Sequence, residues 1–174
     1  NLRDNDIKNG GQGAPIGSYY HKFLIQKFKE NVVIVNLGGI ANFSTIVSKT
    51  LLSSDIGPAN CLTDDLSNHF FKKKFDKNGN YARKGKIHNK LINKFKRDKF
   101  FKKSFPKSLD RNYFRKYFNQ LIKLNKYDAL MTANYMTFIG LKELLNNKIF
   151  KIEKILLTGG GRKNKLLKEI LVNK

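Results

Sequence analysis

The sequence has a single cysteine, Cys61, among its 174 residues. It can therefore close no internal disulfide and has no CxxC pair to hold zinc, and a reducing, cytoplasmic setting is the simplest reading. It has no tryptophan, and proline occurs only three times, which excludes Pro-rich low-complexity classes. Acidic residues are scarce: 13 Asp and Glu stand against 35 Lys and Arg, for a formal net charge of +22. Long apolar runs are also missing. The best, Val32 to Leu37, has the length of a strand, far short of the roughly 18 residues that span a bilayer, so no membrane partner is expected. What remains is globular: 40% hydrophobic residues and 13 glycines, enough chain for one domain with its own core.

The charge invites a nucleic-acid reading. Lysine supplies most of it, however, and arginine is the better fork for phosphates and base edges. Lysine is also abundant alongside Asn, Ile and Phe, which share A/T-rich codons. No specific nucleic-acid partner is expected. A basic module that binds nucleic acid through lysine-rich helices stays as the alternative function.

Periodicity orders the chain. Asn1 to Pro15 is loop-like and glycine-rich. Ser18 to Phe28 has helical spacing. Val32 to Val35, Phe43 to Val47 and Thr50 to Ser54 read as three strands of a meander, turned at Gly38-Gly39. Asn60 is expected to cap a helix through Leu62, Leu66, Phe70 and Phe71. Helical patterns follow at about 87–101, 110–125 and 128–146. Ile152 to Leu157 reads as a fourth strand, with a last helix from near Asn164. The lysine-rich stretch 86–126 keeps apolar residues at helical spacing, so it reads as amphipathic helices with solvated faces.

Three glycine-containing turns adjoin the strands: Leu37-Gly38-Gly39-Ile40-Ala41-Asn42, Asp55-Ile56-Gly57-Pro58-Ala59-Asn60 and Leu157-Thr158-Gly159-Gly160-Gly161-Arg162-Lys163-Asn164. A strand that stops at Gly-Gly lets backbone N–H groups approach a phosphate with no Cβ in the way. Taken singly, each is better read as an ordinary turn. Neither GxGxxG nor a Walker motif is present, which argues against a Rossmann or P-loop site.

Taken in order, the motifs resemble the second lobe of the actin-like sugar kinase and heat-shock ATPase superfamily, and within it the anhydro-N-acetylmuramic acid kinase family. Asn1-Leu2-Arg3-Asp4-Asn5-Asp6 through Gly10-Gly11-Gln12-Gly13-Ala14-Pro15 resembles D-F-R-x-x-D-x-x-x-G-G-Q-G-A-P. Asn36 to Asn42 is similar to N-x-G-G-I-A-N, and Asp55 to Asn60 to D-T-G-P-G-N. Phe75 to Gly79, with Ala82 and Gly85, is similar to Y-D-K-D-G-x-x-A-x-x-G. Phe105 to Arg111 is similar to P-P-K-S-T-G-R-E, and Thr158 to Asn164 to C-G-G-G-x-x-N. Asn1, Ile56, Ala59 and Leu109-Asp110 depart from the pattern.

The resemblance implies an α/β fold: an actin-like (RNase H-like) second lobe, residues 31–174, with a helical insertion at about 86–126, entered through an inter-lobe segment at 1–30. The first lobe would precede Asn1 and a last strand and helix would follow Lys174, so the chain reads as a fragment truncated at both ends and inactive alone. It implies ATP and Mg²⁺, with the hydrolytic opening of 1,6-anhydro-N-acetylmuramic acid and its phosphorylation in murein recycling. Asp6 becomes the water-activating base, although an Asx-turn residue is the plain alternative. Gly10, Gly11, Gln12 and Gly13 would shape the sugar side, and Lys107 and Arg111 would touch the sugar carboxylate or a phosphate, unless they are surface residues. Gly38, Gly39 and Asn42 would face the ATP phosphates, and Gly159, Gly160, Gly161 and Asn164 the adenosine. Asp55 becomes a second-layer magnesium partner or a turn former. A homodimer is left open.

Overall fold

The structure of the chain, a computed structural model, describes residues 17–172 together with Asn5, Lys8 and Asn9. Asp6, Gly10, Gly11, Gln12 and Gly13 lie outside the described residues. The fold is mixed α/β around one four-stranded sheet.

The run Val32-Val33-Ile34-Val35 is apolar at every position, so a strand made from it must be covered on both faces. In β1 (Val32–Leu37) it is. Val33, Val35 and Leu37 pack with Leu141, Leu144 and Phe150, while Val32 and Ile34 pack with Ile25. β1 therefore lies inside the sheet. It runs antiparallel to β2 (Ile40–Val47) and parallel to β4 (Lys154–Thr158). β3 (Thr50–Pro58) pairs with β2, giving the order β3-β2-β1-β4. Helix α1 (Ser18–Ile25) supplies Ile25 to one face.

Two strands extend beyond their expected bounds. Ile40 pairs with Pro58 and Ala41 with Gly57, so β2 begins three residues before Phe43 and β3 continues four past Ser54. Backbone pairing carries the ladder through residues whose side chains look turn-like. Between the Ala41–Gly57 and Asn42–Asp55 pairs, Ile56 is the extra residue of a bulge.

Between β3 and β4 run α2 (Asn60–Phe71), α3 (Asn89–Lys96), α4 (Arg115–Leu121) and α5 (Lys126–Leu145), and α6 (Lys165–Val172) follows β4. The patterns at 87–101 and 110–125 do not make two long helices. Each breaks into a short α-helix and a 3₁₀ turn, Lys99–Lys102 after α3 and Arg111–Phe114 before α4. Asp98 and Asp110 are the reason: each carboxylate accepts an N–H two residues on and starts a new turn. The apolar sides still converge. Phe95, Phe100, Phe114 and Tyr117 are buried in one core with Leu62, Leu66, Leu130 and Met136.

Asp98 is the polar centre of that layer. Besides the Phe100 N–H, it accepts from the hydroxyls of Tyr113 at 2.5 Å and Tyr117 at 2.6 Å, and it pairs with Lys116 at 2.7 Å. Burial alone would raise its pKa, but these donors outweigh it and hold the carboxyl down to about 2. A carboxyl depressed on folding stabilises the protein above its unfolded pKa, 3.8, and loses that contribution as pH falls toward 2. The shift is equivalent to about 2 kcal/mol. Asp98→Asn is therefore expected to be less stable than wild type near neutral pH by at least that order, with the gap narrowing as pH falls to about 2. Urea melts across that range check it; a gap that stays constant with pH would assign the loss to packing instead.

Candidate functional site

Parallel pairing of β1 with β4 ends at Asn36 and Thr158, so Gly38-Gly39 and Gly159-Gly160-Gly161 leave the sheet side by side. The glycines there have two different jobs. Gly159 has φ +78°, and a Cβ on it would come within 2.5 Å of Asn36 Oδ1 and 2.7 Å of the Leu37 carbonyl. A Cβ on Gly161 would lie 2.7 Å from Leu37 Cβ. These two positions let the late turn press against the end of β1. At Gly39 and Gly160 the nearest atoms to a built Cβ are 4.0 and 3.7 Å away, on Cys61 and Asn60. Those two glycines are exposed, and a Cβ there would make only ordinary contacts.

The start of α2 is tied to the same place. The N–H groups of Ala59 and Cys61 donate to the Gly39 carbonyl, and that of Asn60 to the Gly38 carbonyl. Asn60 does not cap the helix with its side chain as the sequence suggests, because the helix already begins at Asn60 and the cap position falls on Ala59. Its Nδ2 donates instead to the Leu37 carbonyl at 3.1 Å, which joins β1, α2 and the Gly159–Gly161 turn into one rigid corner.

A cleft of about 430 Å³ opens at this corner. Its walls are the first turn of α2 (Asn60, Thr63, Asp64), the loop Phe75–Asn78, and the turn from Gly160 to Asn164. The loop is fixed from both ends. The Asp76 carboxylate accepts the N–H groups of Tyr81 and Ala82, each at 2.9 Å, and Gly79 lies so close to Leu166 and Asn164 that a Cβ has no room. Asn164 is committed to the fold: its Oδ1 accepts the Leu167 N–H at the start of α6 and its Nδ2 donates to Asn134 Oδ1. Of the four residues expected at adenosine, Gly160, Gly161 and Asn164 line the cleft. Gly38, Gly39 and Asn42 are not among its walls.

Asn42 belongs to a row that crosses the sheet, Asp55–Asn42–Asn36–Thr158. Its Oδ1 is buried with no hydrogen-bond partner. Asp55 is buried, gives one oxygen to the Leu109 N–H at 2.7 Å, and is pushed up by burial to a pKa of about 6. Among the described residues no three His, Cys, Asp or Glu side chains cluster as a metal cage would.

Lys107 corrects the sequence reading. It is not a surface residue. Its side chain is 1% exposed, and Nζ donates to Glu143 Oε1 at 2.6 Å and to the carbonyls of Phe100 and Lys103. The rings of Phe100 and Phe105 lie 4.4 and 4.6 Å from it. Its backbone docks on β3, accepting the Asp55 N–H and receiving Ser54 Oγ. Arg111 opens the Arg111–Phe114 turn. Other residues keep structural roles: Cys61 is buried, His88 Nδ1 accepts the Leu91 N–H at the head of α3, and His21 bonds Ser44.

A family model described as anhydro-N-acetylmuramic acid kinase matches residues 1–174. The chain belongs to the anhydro-N-acetylmuramic acid kinase family. It is 35% identical to the protein of that name from Pelagibacter ubique (strain HTCC1062), over 97% of this chain and 47% of the relative. The corresponding protein of Legionella pneumophila (strain Paris) is 36% identical over 98% of this chain and 48% of its own length. That of Clostridioides difficile (strain 630) is 31% identical over 99% and 49%. The chain thus spans about half the length of the curated relatives it matches.

As a member of the anhydro-N-acetylmuramic acid kinase family, the chain has cleft residues that the sequence motifs contain but to which they assign no place in a binding site. Phe75, Lys77 and Asn78 stand in the segment similar to Y-D-K-D-G, and Asn60 closes the one similar to D-T-G-P-G-N. Their signal lay in the motifs. Their convergence on the Gly160–Asn164 turn needed the chain to fold back over more than 80 residues. No helix among the described residues is long and apolar enough to cross a membrane.

Proposed function

We propose that the chain is the second, C-terminal lobe of an actin-like anhydro-N-acetylmuramic acid kinase, carrying half of its nucleotide site and its water-activating base. The reaction consumes ATP, water and 1,6-anhydro-N-acetylmuramic acid and yields ADP and N-acetylmuramic acid 6-phosphate, as in murein recycling in the cytoplasm. The observation that carries this reading is the corner itself. Two glycine turns over 100 residues apart meet at the ends of parallel strands, beside a cleft rimmed by Lys77 and Lys163.

In this reading Asp6 takes a proton from water as the water oxygen bonds to the anomeric carbon. The bond from that carbon to the sugar 6-oxygen breaks, and the 6-oxygen attacks the γ-phosphate. Gly10, Gly11, Gln12 and Gly13 hold the sugar. Gly39 lets the hairpin backbone approach the phosphates, and Gly160 does the same for the adenosine side. Magnesium, when bound, neutralises phosphate charge and aligns the transferring group. The residues present fit a cation carried in on the phosphates: the unpartnered Asn42 Oδ1 and the Asp55 carboxylate lie in one row, and the described residues hold no three-residue cage. With about half of a relative's length present, the chain alone is expected to show no kinase turnover.

Gly39→Val tests the reading. The structure leaves room for the side chain, so the melting temperature should hold while ATP affinity falls by about tenfold or more, because the added methyls occupy the space through which phosphate approaches. Gly161→Val is the contrast: its Cβ would strike Leu37, and folding should fail first. Calorimetric titration with ATP alongside thermal melts separates the two. Unchanged ATP affinity in folded Gly39→Val would make the hairpin a turn and nothing more.

A further inference from the structure

Phe75 is an outlier among the aromatic residues near the cleft. Phe71 stacks on Tyr81 with centroids 3.9 Å apart, and Phe70 and Phe71 both pack against the main core. Phe75 instead is 56% exposed and lines the cleft. Its exposure is not that of a loose loop. Asp76, the next residue, is buried and grips two backbone N–H groups, and Gly79 is pressed against the start of α6. An apolar ring held in place at the mouth of a cleft, with Lys77 and Lys163 beside it, fits a ligand with a flat apolar face and negative charge.

The polar side chains of the cleft say something about how such a ligand is read. Asn60 gives its Nδ2 to Leu37, and Thr63 its hydroxyl proton to the Asn60 carbonyl. Both Asp76 oxygens and both polar atoms of Asn164 are engaged in the fold. These four side chains shape the walls; Asp64 and Asn78 also line the cleft, so few polar groups remain for the edge of a base. Base–aromatic stacking, by contrast, is tolerant of base identity and is worth about 1–3 kcal/mol per base.

We propose that Phe75 is the platform on which the nucleobase stacks, and that the cleft holds purine nucleotides by stacking and phosphate charge with little distinction between adenine and guanine. This rests on the nucleotide reading of the cleft and adds the residue and the selectivity.

The chain has no tryptophan, so Phe75→Trp places a lone tryptophan, which can be excited apart from the tyrosines, at the platform. ATP and GTP should quench it alike, whereas inorganic tripolyphosphate should bind without quenching. On the wild-type chain, calorimetry should give ATP and GTP affinities within about threefold of each other and a weaker one for CTP, whose ring offers less stacking area. Phe75→Ala should weaken ATP and GTP by about tenfold, leave tripolyphosphate binding unchanged, and melt as wild type does. ATP binding that is normal in Phe75→Ala overturns the platform and leaves the nucleotide reading standing. A preference for ATP over GTP beyond about thirtyfold overturns the lack of base readout. A wild-type chain that binds no nucleotide overturns the cleft reading, and the platform with it.

Discussion

Lys107→Ala is expected to destabilise the protein by about 3–5 kcal/mol, the usual cost of stripping one partner from a buried ion pair. The ammonium has three acceptors, Glu143 Oε1 and the Phe100 and Lys103 carbonyls, and sits against two phenyl faces. Without it those carbonyls lose a donor. Glu143 loses its cation while one oxygen, Oε2, is already buried without a partner. Burial already raises the Glu143 pKa against the pull of Lys107, so the variant should take up a proton there nearer neutral pH. Lys107→Met with Glu143→Leu fills the same space with apolar atoms and should recover most of the loss. Urea melts of the three variants check this. If Lys107→Met folds with wild-type stability but the complete enzyme loses sugar turnover, the ammonium works at the substrate and its structural role is secondary.

Asp6→Asn carries the largest expected effect on catalysis. In a complete enzyme of this family bearing this segment, ring opening and phosphorylation should fall together by at least about 10²-fold, the range a general base supplies. They fall together because the 6-oxygen becomes a nucleophile only as the anhydro bond breaks. Asn keeps the size and the turn-forming hydrogen bonds, so melting temperature and ATP affinity should hold. Product analysis by sugar 6-phosphate formation and by sugar reducing ends reads the two steps separately. Near-normal turnover would make Asp6 a turn former and send the search for the base to another part of the enzyme.

These two residues mark where sequence reasoning reaches and where it stops. Lys107 stands in a segment similar to a family motif, among many lysines with no feature to set it apart. Its role depends on Glu143, 36 residues on, and on a backbone docked to β3, and local periodicity encodes neither. Asn60 looked like a helix cap because Asn before an apolar helix usually is one. The helix instead starts one residue early, with the N–H groups of Ala59, Asn60 and Cys61 held by the Gly38 and Gly39 carbonyls of another element. The cleft residues Phe75 and Lys77 were visible as a motif, but their facing Gly160 and Lys163 is a product of the crossover between β3 and β4.

By itself the sequence determined the strand meander, the buried character of β1, the glycine turns that follow β1 and β4, and the family, because period, turn chemistry and motif order are local properties of the chain. Tertiary structure alone decided which glycines serve packing and which are exposed, that Lys107 is a buried structural cation, and that two distant turns share one corner. Those outcomes depend on parallel pairing of β1 with β4 and on which donors reach an acceptor first, and contacts of such long sequence separation are set only when the whole core closes.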